Sequence, residues 1–368
     1  MSALIAVAPP SSRLAPPPAR RRASPRPPAR AARLRGLRRH SPPRSAALGT
    51  NPEPMGAGAA IPADETDLPA MRQACLRVAT DAAKRGATIM LEKLGADVVK
   101  TKANARDLLT EVDPEVQRII EGTVSEAFPT HRFLGEESVP PGAEASAAAL
   151  AELLDSPGGD ENDASEGGGS DWLWVVDPID GTTNFCHSMP LSAISIGVAY
   201  RGELQVAVIM DPFAGEIFSA SKGRGAYCNF AQMRVGEEAT GEESVVVTGY
   251  GATSESADAM IKGMRALTAL PVRSIRMLGS AAIMLAWVAA GRLTAYYECD
   301  LNSWDTAAGA LLVREAGGEM TDLVTGEAYS LRTRAILASN GKTHEEIRTC
   351  LIEGGVRALK DYEAESRG

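Results

Sequence analysis

The stretch WVVDPIDGTTNF, Trp174 to Phe185, limits what this chain can become more than any other. An apolar run reads as a buried strand and ends in two acids three residues apart, Asp177 and Asp180. Ligands in open α/β sheets collect beyond the C-terminal ends of strands, so the placing of these acids matters. Pro178 fixes φ and removes a donor, so the chain is expected to turn there. Such a turn can aim both carboxylates and the Ile179 carbonyl at one point. Gly181-Thr182-Thr183 then offers backbone N–H groups and hydroxyls at a helix start, a seat for phosphate. Asp-Gly-Thr alone would suit an Asx-type turn with a helix cap. One turn, however, needs neither two acids nor a Pro together with two Thr.

Further acids sit at comparable places. Glu136-Glu137 end the short strand pattern HRFLGEES, and Asp305 opens a helix pattern that Gly317-Gly318 closes. Taken singly, the first is an ordinary solvated pair and the second an N-cap. Convergence would be costly, because two carboxylates ~4 Å apart repel by about 4 kcal/mol at an effective dielectric of about 20. Protons or divalent cations must then sit among them. Mg²⁺, a hard cation, takes oxygen ligands from one or two carboxylates, water and substrate phosphate.

The surrounding pattern is α/β. A helix is expected from Leu68 to about Leu94, then a hairpin in VVKTKANARDLLTEVD, then a helix opened by Asp113-Pro114 and ending near Phe128-Pro129. Residues 139–170, rich in Ala, Gly, Ser and acids, read as an exposed, mobile insertion. Strands follow in WLWVVD, LSAISIGVAY, ELQVAVIMD and GEIFSASKG. A second αβ section runs from ESVVVTGYG through helices near 256–269 and 280–290, the strand LTAYYE and the helix from Asp305 to Ala316. His131 and His344 are expected as surface or cap residues, and Cys186 and His187 in packing or solvent.

Composition excludes some functions. At 44% hydrophobic, 23% charged and 5% aromatic, the chain is expected to be soluble and globular. Its net charge of −9 hides an asymmetry: residues 1–50 hold eleven Arg and no acid, leaving 27 basic against 47 acidic residues elsewhere. Such an acidic body repels nucleic acid and anionic membrane. The basic segment 1–50, rich in Arg, Ala, Pro and Ser, is expected to be a disordered transit peptide, for a plastid ahead of a mitochondrion. A basic tail for nucleic acid is the alternative. Residues 51–66 read as a linker, 67–360 as the catalytic domain and 361–368 as a tail. No run of 18 apolar residues exists to span a membrane, and the five Cys form no C-x-x-C pair.

Together, GEES (135–138), DPIDGTTNF (177–185), WDTAAGALLVREAGG (304–318) and DLLTEVD (107–113) resemble the inositol monophosphatase family of Mg²⁺-dependent, lithium-sensitive phosphatases. The likeness runs over roughly residues 70–355. It implies a layered αβαβα sandwich of the inositol monophosphatase/fructose-1,6-bisphosphatase type, and a homodimer. It implies that Glu136, Asp177, the Ile179 carbonyl, Asp180 and Asp305 bind two or three Mg²⁺, with Mn²⁺ as a substitute. Asp113 would pair with Thr182 to orient and deprotonate the attacking water. Lys102 would stand near the third metal, and Glu137 would support the site through water. Gly181 and Thr182 would hold the phosphate, and Gly279, Ser280, Ala281 and Glu298 the substrate hydroxyls. The implied substrate is inositol 1-phosphate or a similar polyol or sugar phosphate, with L-galactose 1-phosphate and histidinol phosphate as alternatives. A non-catalytic organelle scaffold that kept the fold is the rival of another class.

Overall fold

The computed structural model describes residues 61–101, 108–156, 170–251 and 253–357. The expected transit peptide 1–50, residues 51–60 of the linker, Lys102 and the tail 361–368 lie outside them. In chain order the first elements are α1 (Leu68–Lys93), the hairpin strands β1 (Val98–Thr101) and β2 (Leu108–Thr110), α2 (Val112–Ala127), β3 (Arg132–Gly135), a 3-10 turn (Glu136–Ser138) and α3 (Ala143–Asp155). Next come β4 (Trp172–Asp180), the short α4 (Thr182–Cys186), β5 (Ala193–Tyr200), β6 (Glu203–Asp211), β7 (Glu216–Ser221), β8 (Ala226–Cys228) and β9 (Ala231–Met233). The second half holds β10 (Val245–Thr248), α5 (Ser254–Ala266), β11 (Ser274–Arg276), α6 (Ala281–Ala289), β12 (Ala295–Glu298), α7 (Ser303–Glu315), β13 (Glu319–Asp322), β14 (Ile336–Ser339) and α8 (His344–Glu353).

Among the described residues β3 to β9 form one sheet in sequence order, and a second has the order β11-β10-β12-β14-β13. The apolar sets divide these into layers. Trp172, Trp174 and Val176 of β4 pack with α1 and α2 on one face, while Leu173 and Val175 face the inter-sheet core. Burial on both faces explains the continuous apolar run WLWVV. Helices α6 and α7 lie between the sheets, and α5 and α8 cover the outer face of the second. The expected αβαβα sandwich is therefore observed.

Helix α7 is buried nearly all round, and its small residues let it close on the first sheet. A Cβ at Gly197 of β5 would stand 2.7 Å from the Ala307 Cβ, and one at Gly309 would collide with Leu285 of α6. Ser195 Oγ donates to the Trp304 carbonyl at 2.9 Å, tying β5 to the first turn of α7.

Four expectations are corrected. The insertion 139–170 contains α3: Ala is the best helix former, and Ser146 and Leu150, one turn apart, are buried with Leu153 and Leu154 packed on the core. The Ala-rich composition hid this spacing; residues 157–169 lie outside the described ones. Residues 61–66 are not a loose linker, since Glu65 accepts from Thr130 Oγ1 at 2.8 Å and from Ser170 Oγ, and its carbonyl from Trp172 Nε1 at 3.1 Å. His131 and His344 are not surface residues. The His131 ring stacks between Phe128 and Trp172 and accepts from Trp174 Nε1 at 2.9 Å, and burial pushes its pKa down to about 4. His344 is 3% exposed, between the Thr321 and Ser339 hydroxyls. Finally, Pro178 does not end the strand; β4 continues to Asp180 through a bulge.

The docking of α3 is open to a direct check. Leu150→Ala is expected to lower the unfolding free energy by about 2 kcal/mol in a denaturant titration. A loss below about 0.5 kcal/mol, ordinary for a surface site, would mean that α3 does not pack.

Candidate active site

The acids converge because of the bulge. Asp177 pairs with Ser195 and Asp180 with Ala193, so three steps along β4 match two along β5. Residues three apart on a regular strand point to opposite faces; the extra residue restores the parity. Ile179 N donates to Asp177 Oδ1 at 2.9 Å, bracing the bulge, and the Ile179 side chain is buried. Gly181 ends it at φ +91, where a Cβ would stand 3.0 Å from the Gly279 and Leu191 carbonyls. Asp305 arrives from the first turn of α7. Ligand oxygens of Asp177, Asp180 and Asp305 lie within 4.8 Å of one another.

Asp305 is not the N-cap of α7. Asn302 holds that place, and Asp305 accepts its backbone N–H at 2.6 Å from three residues inside the helix. Asp180 sits on the N-terminus of α6, taking Ser280 Oγ, Ala281 N at 3.2 Å and Ala282 N at 2.8 Å. Ser280 and Ala281, expected against substrate hydroxyls, thus bind Asp180 while also lining the cavity. Gly279 lines it too, at φ +75, with the Asn184 amide bonded to the Leu278 carbonyl at 2.7 Å and the Leu191 carbonyl at 2.8 Å.

Asp113 approaches from the first turn of α2. Its Oδ2 accepts Thr110 N at 3.0 Å and the Thr110 hydroxyl, while its Oδ1 faces Thr182 Oγ1 at 3.2 Å. Thr182 Oγ1 also lies 3.0 Å from the Ile179 carbonyl, so one hydroxyl proton has two acceptors. Glu136 and Glu137 stand on the 3-10 turn after β3.

The cavity beside the acids measures about 280 Å³ and takes in Glu136, Asp180, Glu298 and Asp305. None of the described residues lining it is Lys, Arg or His. Burial pushes Asp180 up to about 6 against its three hydrogen bonds, with the Glu136 charge adding to the rise. Burial, then the charges of Asp180 and Glu136, holds Asp305 well above the usual carboxylate range. Burial takes Glu298 up to about 7, opposed by Tyr296 OH, which donates to Glu298 Oε2 at 2.5 Å, and reinforced by Asp180. An acid-rich cavity with no basic side chain among the described lining residues fits a hard divalent cation.

Sequence reasoning missed several supporting residues. Thr110 holds Asp113, Ser195 ties down the turn before Asp305, and Tyr296 holds Glu298. Val139 to Gly142 and Ser146 form one cavity wall. Thr110 and Tyr296 lie inside the quoted motifs; Ser195 carries no local signal.

These shifts set a pH dependence. Carboxyls whose folded pKa is raised favour the protonated fold, so their contribution is present below about pH 4 and lost as pH rises through about 6 to 7. With chelator present, the unfolding temperature is expected to fall by roughly 5 °C between about pH 5 and pH 8, and Asp305→Asn to flatten the slope. A rise across that window would contradict the assignment.

Comparison with known proteins places this geometry. Residues 71–353 match the inositol monophosphatase family. Human inositol monophosphatase 1 is 33% identical over 273 residues, which cover 73% of this chain and 91% of the human one. The Nus factor SuhB of Pseudomonas aeruginosa is 36% identical over 284 residues, covering 76% of this chain and 96% of its own. Among solved structures, the extragenic suppressor protein suhB of Bartonella henselae aligns with a TM-score of 0.65 at 32% identity, covering 76% of this chain and 99% of that one. The chain belongs to the inositol monophosphatase family, a metal-dependent family of phosphoric monoester hydrolases that act on small phosphorylated substrates.

Proposed function

We propose that the protein is a Mg²⁺-dependent phosphomonoesterase acting on inositol 1-phosphate or a similar polyol or sugar phosphate. The observation that carries this reading is the meeting of Asp177, Asp180 and Asp305, from two distant chain segments, with oxygens within 4.8 Å. Those three acids, Glu136 and the Ile179 carbonyl would hold two or three Mg²⁺, or Mn²⁺ in their place. A bound divalent cation lowers the pKa of water and draws charge from the leaving oxygen. Thr182 Oγ1 takes the proton of the attacking water as it passes its own to Asp113 Oδ1, which its 3.2 Å approach supports. Thr110 fixes Asp113 through the other oxygen, so the base keeps one orientation. The first-turn N–H groups of α4, with Gly181 and Thr182, seat the phosphate. Glu137 would support the site through water, and Lys102 is assigned beside a third ion on sequence alone.

Glu298, Gly279, Ser280 and Ala281 border the cavity and would meet substrate hydroxyls. A polyhydroxyl substrate suits this polar wall better than histidinol phosphate does; L-galactose 1-phosphate is the remaining alternative. Homodimerisation is carried with the same reading. Delivery to a plastid by residues 1–50 rests on composition. Among the described residues no helix is long and apolar enough to cross a membrane.

The protein without residues 1–50 is expected to release phosphate from inositol 1-phosphate with Mg²⁺ and to be inhibited by Li⁺. Thr182→Ala should lower kcat by at least about 10²-fold, the lower range for loss of a proton-transfer group. Asp177→Asn, which removes a proposed metal ligand, should lower it by at least about as much. Absence of turnover on a panel of inositol, galactose and histidinol phosphates would refute the reading. The scaffold alternative predicts no Mg²⁺ binding heat that Asp177→Asn abolishes.

A further inference from the structure

The geometry points to Gln117 as a positioning residue that fixes the Glu136–Glu137 turn against α2, an inference that rests on the metal-dependent reading above. Gln117 lies on α2, one turn beyond Asp113, and is 6% exposed. Its carbonyl oxygen accepts Glu137 N–H at 2.8 Å, and its amide nitrogen donates to Ser138 Oγ at 2.8 Å. A backbone N–H can only donate, so the orientation of the amide is set without ambiguity. Both ends of one buried carboxamide therefore grip the two residues that follow Glu136.

The need for such a grip follows from the turn itself. Glu136 stands on a three-residue 3-10 turn that closes through Val139 N to the Glu136 carbonyl at 3.1 Å. Turns of this length have poor hydrogen-bond geometry and little stiffness of their own. Helix α2 is a rigid element that already carries Asp113, so Gln117 ties the Glu136 turn to the frame that holds the base. An error of about 1 Å in such a site costs on the order of 10²-fold in rate.

Gly135 supplies an independent observation. Its φ of −106 is ordinary for any residue, so backbone strain does not require glycine. A Cβ there would instead collide with the Gln117 carboxamide and stand 2.8 Å from the Phe133 ring. The missing side chain is the space that the carboxamide occupies. The glycine of the GEES motif thus has a physical reason that leads to Gln117.

The test compares the full-length protein with Gln117→Met, which keeps the length without the amide, with Gln117→Glu, which can accept from both partners, and with Gly135→Ala. Mg²⁺ binding is measured by titration calorimetry, unfolding temperature in EDTA, and kcat and KM across Mg²⁺ concentrations. Gln117→Met is expected to weaken Mg²⁺ binding at least about tenfold, as loss of a ligand-orienting partner does. Substrate KM at saturating Mg²⁺ should stay within about twofold, since no substrate contact is lost. The unfolding temperature in EDTA should stay within about 2 °C, because water can reach Ser138. Gln117→Glu should recover most of the affinity, and Gly135→Ala should reproduce the Met variant. Mg²⁺ affinity within about twofold of the parent in both Gln117→Met and Gly135→Ala would overturn the inference, being far short of that tenfold loss. So would a loss of affinity that only tracks the unfolding temperature. A parent protein that binds no Mg²⁺ would instead sink the functional reading.

Discussion

The one-residue bulge in β4 is the constraint on which the site depends. Without it, Asp177 and Asp180 would project from opposite faces of a strand buried on both sides. One carboxylate would then enter the apolar α1/α2 layer among Trp172, Trp174 and Val176. With it, both acids turn to the same side, Ile179 fills the apolar layer, and the Ile179 carbonyl is left facing Thr182. The proline contributes by surrendering an N–H where the ladder is already broken, which is one of the few places a sheet tolerates one.

Gathering buried carboxylates costs stability, and the fold offsets part of that cost with helix ends. Asp113 lies in the first turn of α2, Asp180 on the N-terminus of α6, and Asp305 in the first turn of α7. Helix α6 presents two first-turn N–H groups to Asp180, and Asp113 and Asp305 lie at the positive dipole ends of their own helices. The offset is incomplete, since Asp180 and Asp305 still titrate above their ordinary range. Residual unfavourable charge is what a cation-binding site requires, because a fully satisfied carboxylate would have no reason to exchange its partners for a metal.

Much of this was legible in sequence. The order of helices and strands, the buried β4 and the αβαβα layering followed from apolar period, punctuation and motif resemblance. The bulge did not, because Pro178 reads equally as a turn, and pairing with β5 decides between them. Helix α3 was hidden by its Ala-rich composition, although Ser146 and Leu150 keep helical spacing. His131 and His344 were misplaced because a lone polar residue gives no sign of the aromatic rings or hydroxyls that will enclose it. Ser195 and Gln117 act across the fold, and nothing in their neighbours along the chain marks them.

The small residues of α7 connect the scaffold to the chemistry. Gly197 facing Ala307 sets how near that helix comes to β5, and Gly309 does the same against Leu285 of α6. That approach brings Trp304 within reach of Ser195, and Ser195 stands directly across from Asp177. One strand residue therefore registers the bulge on its one side and the first turn of α7 on the other. A wider sheet-to-helix gap would leave Asp305 attached to a sound helix and yet out of range of its partners. The WDTAAGA motif accordingly encodes a distance as much as a ligand: its acid has a role only because the alanines and glycine behind it let α7 sit where it does.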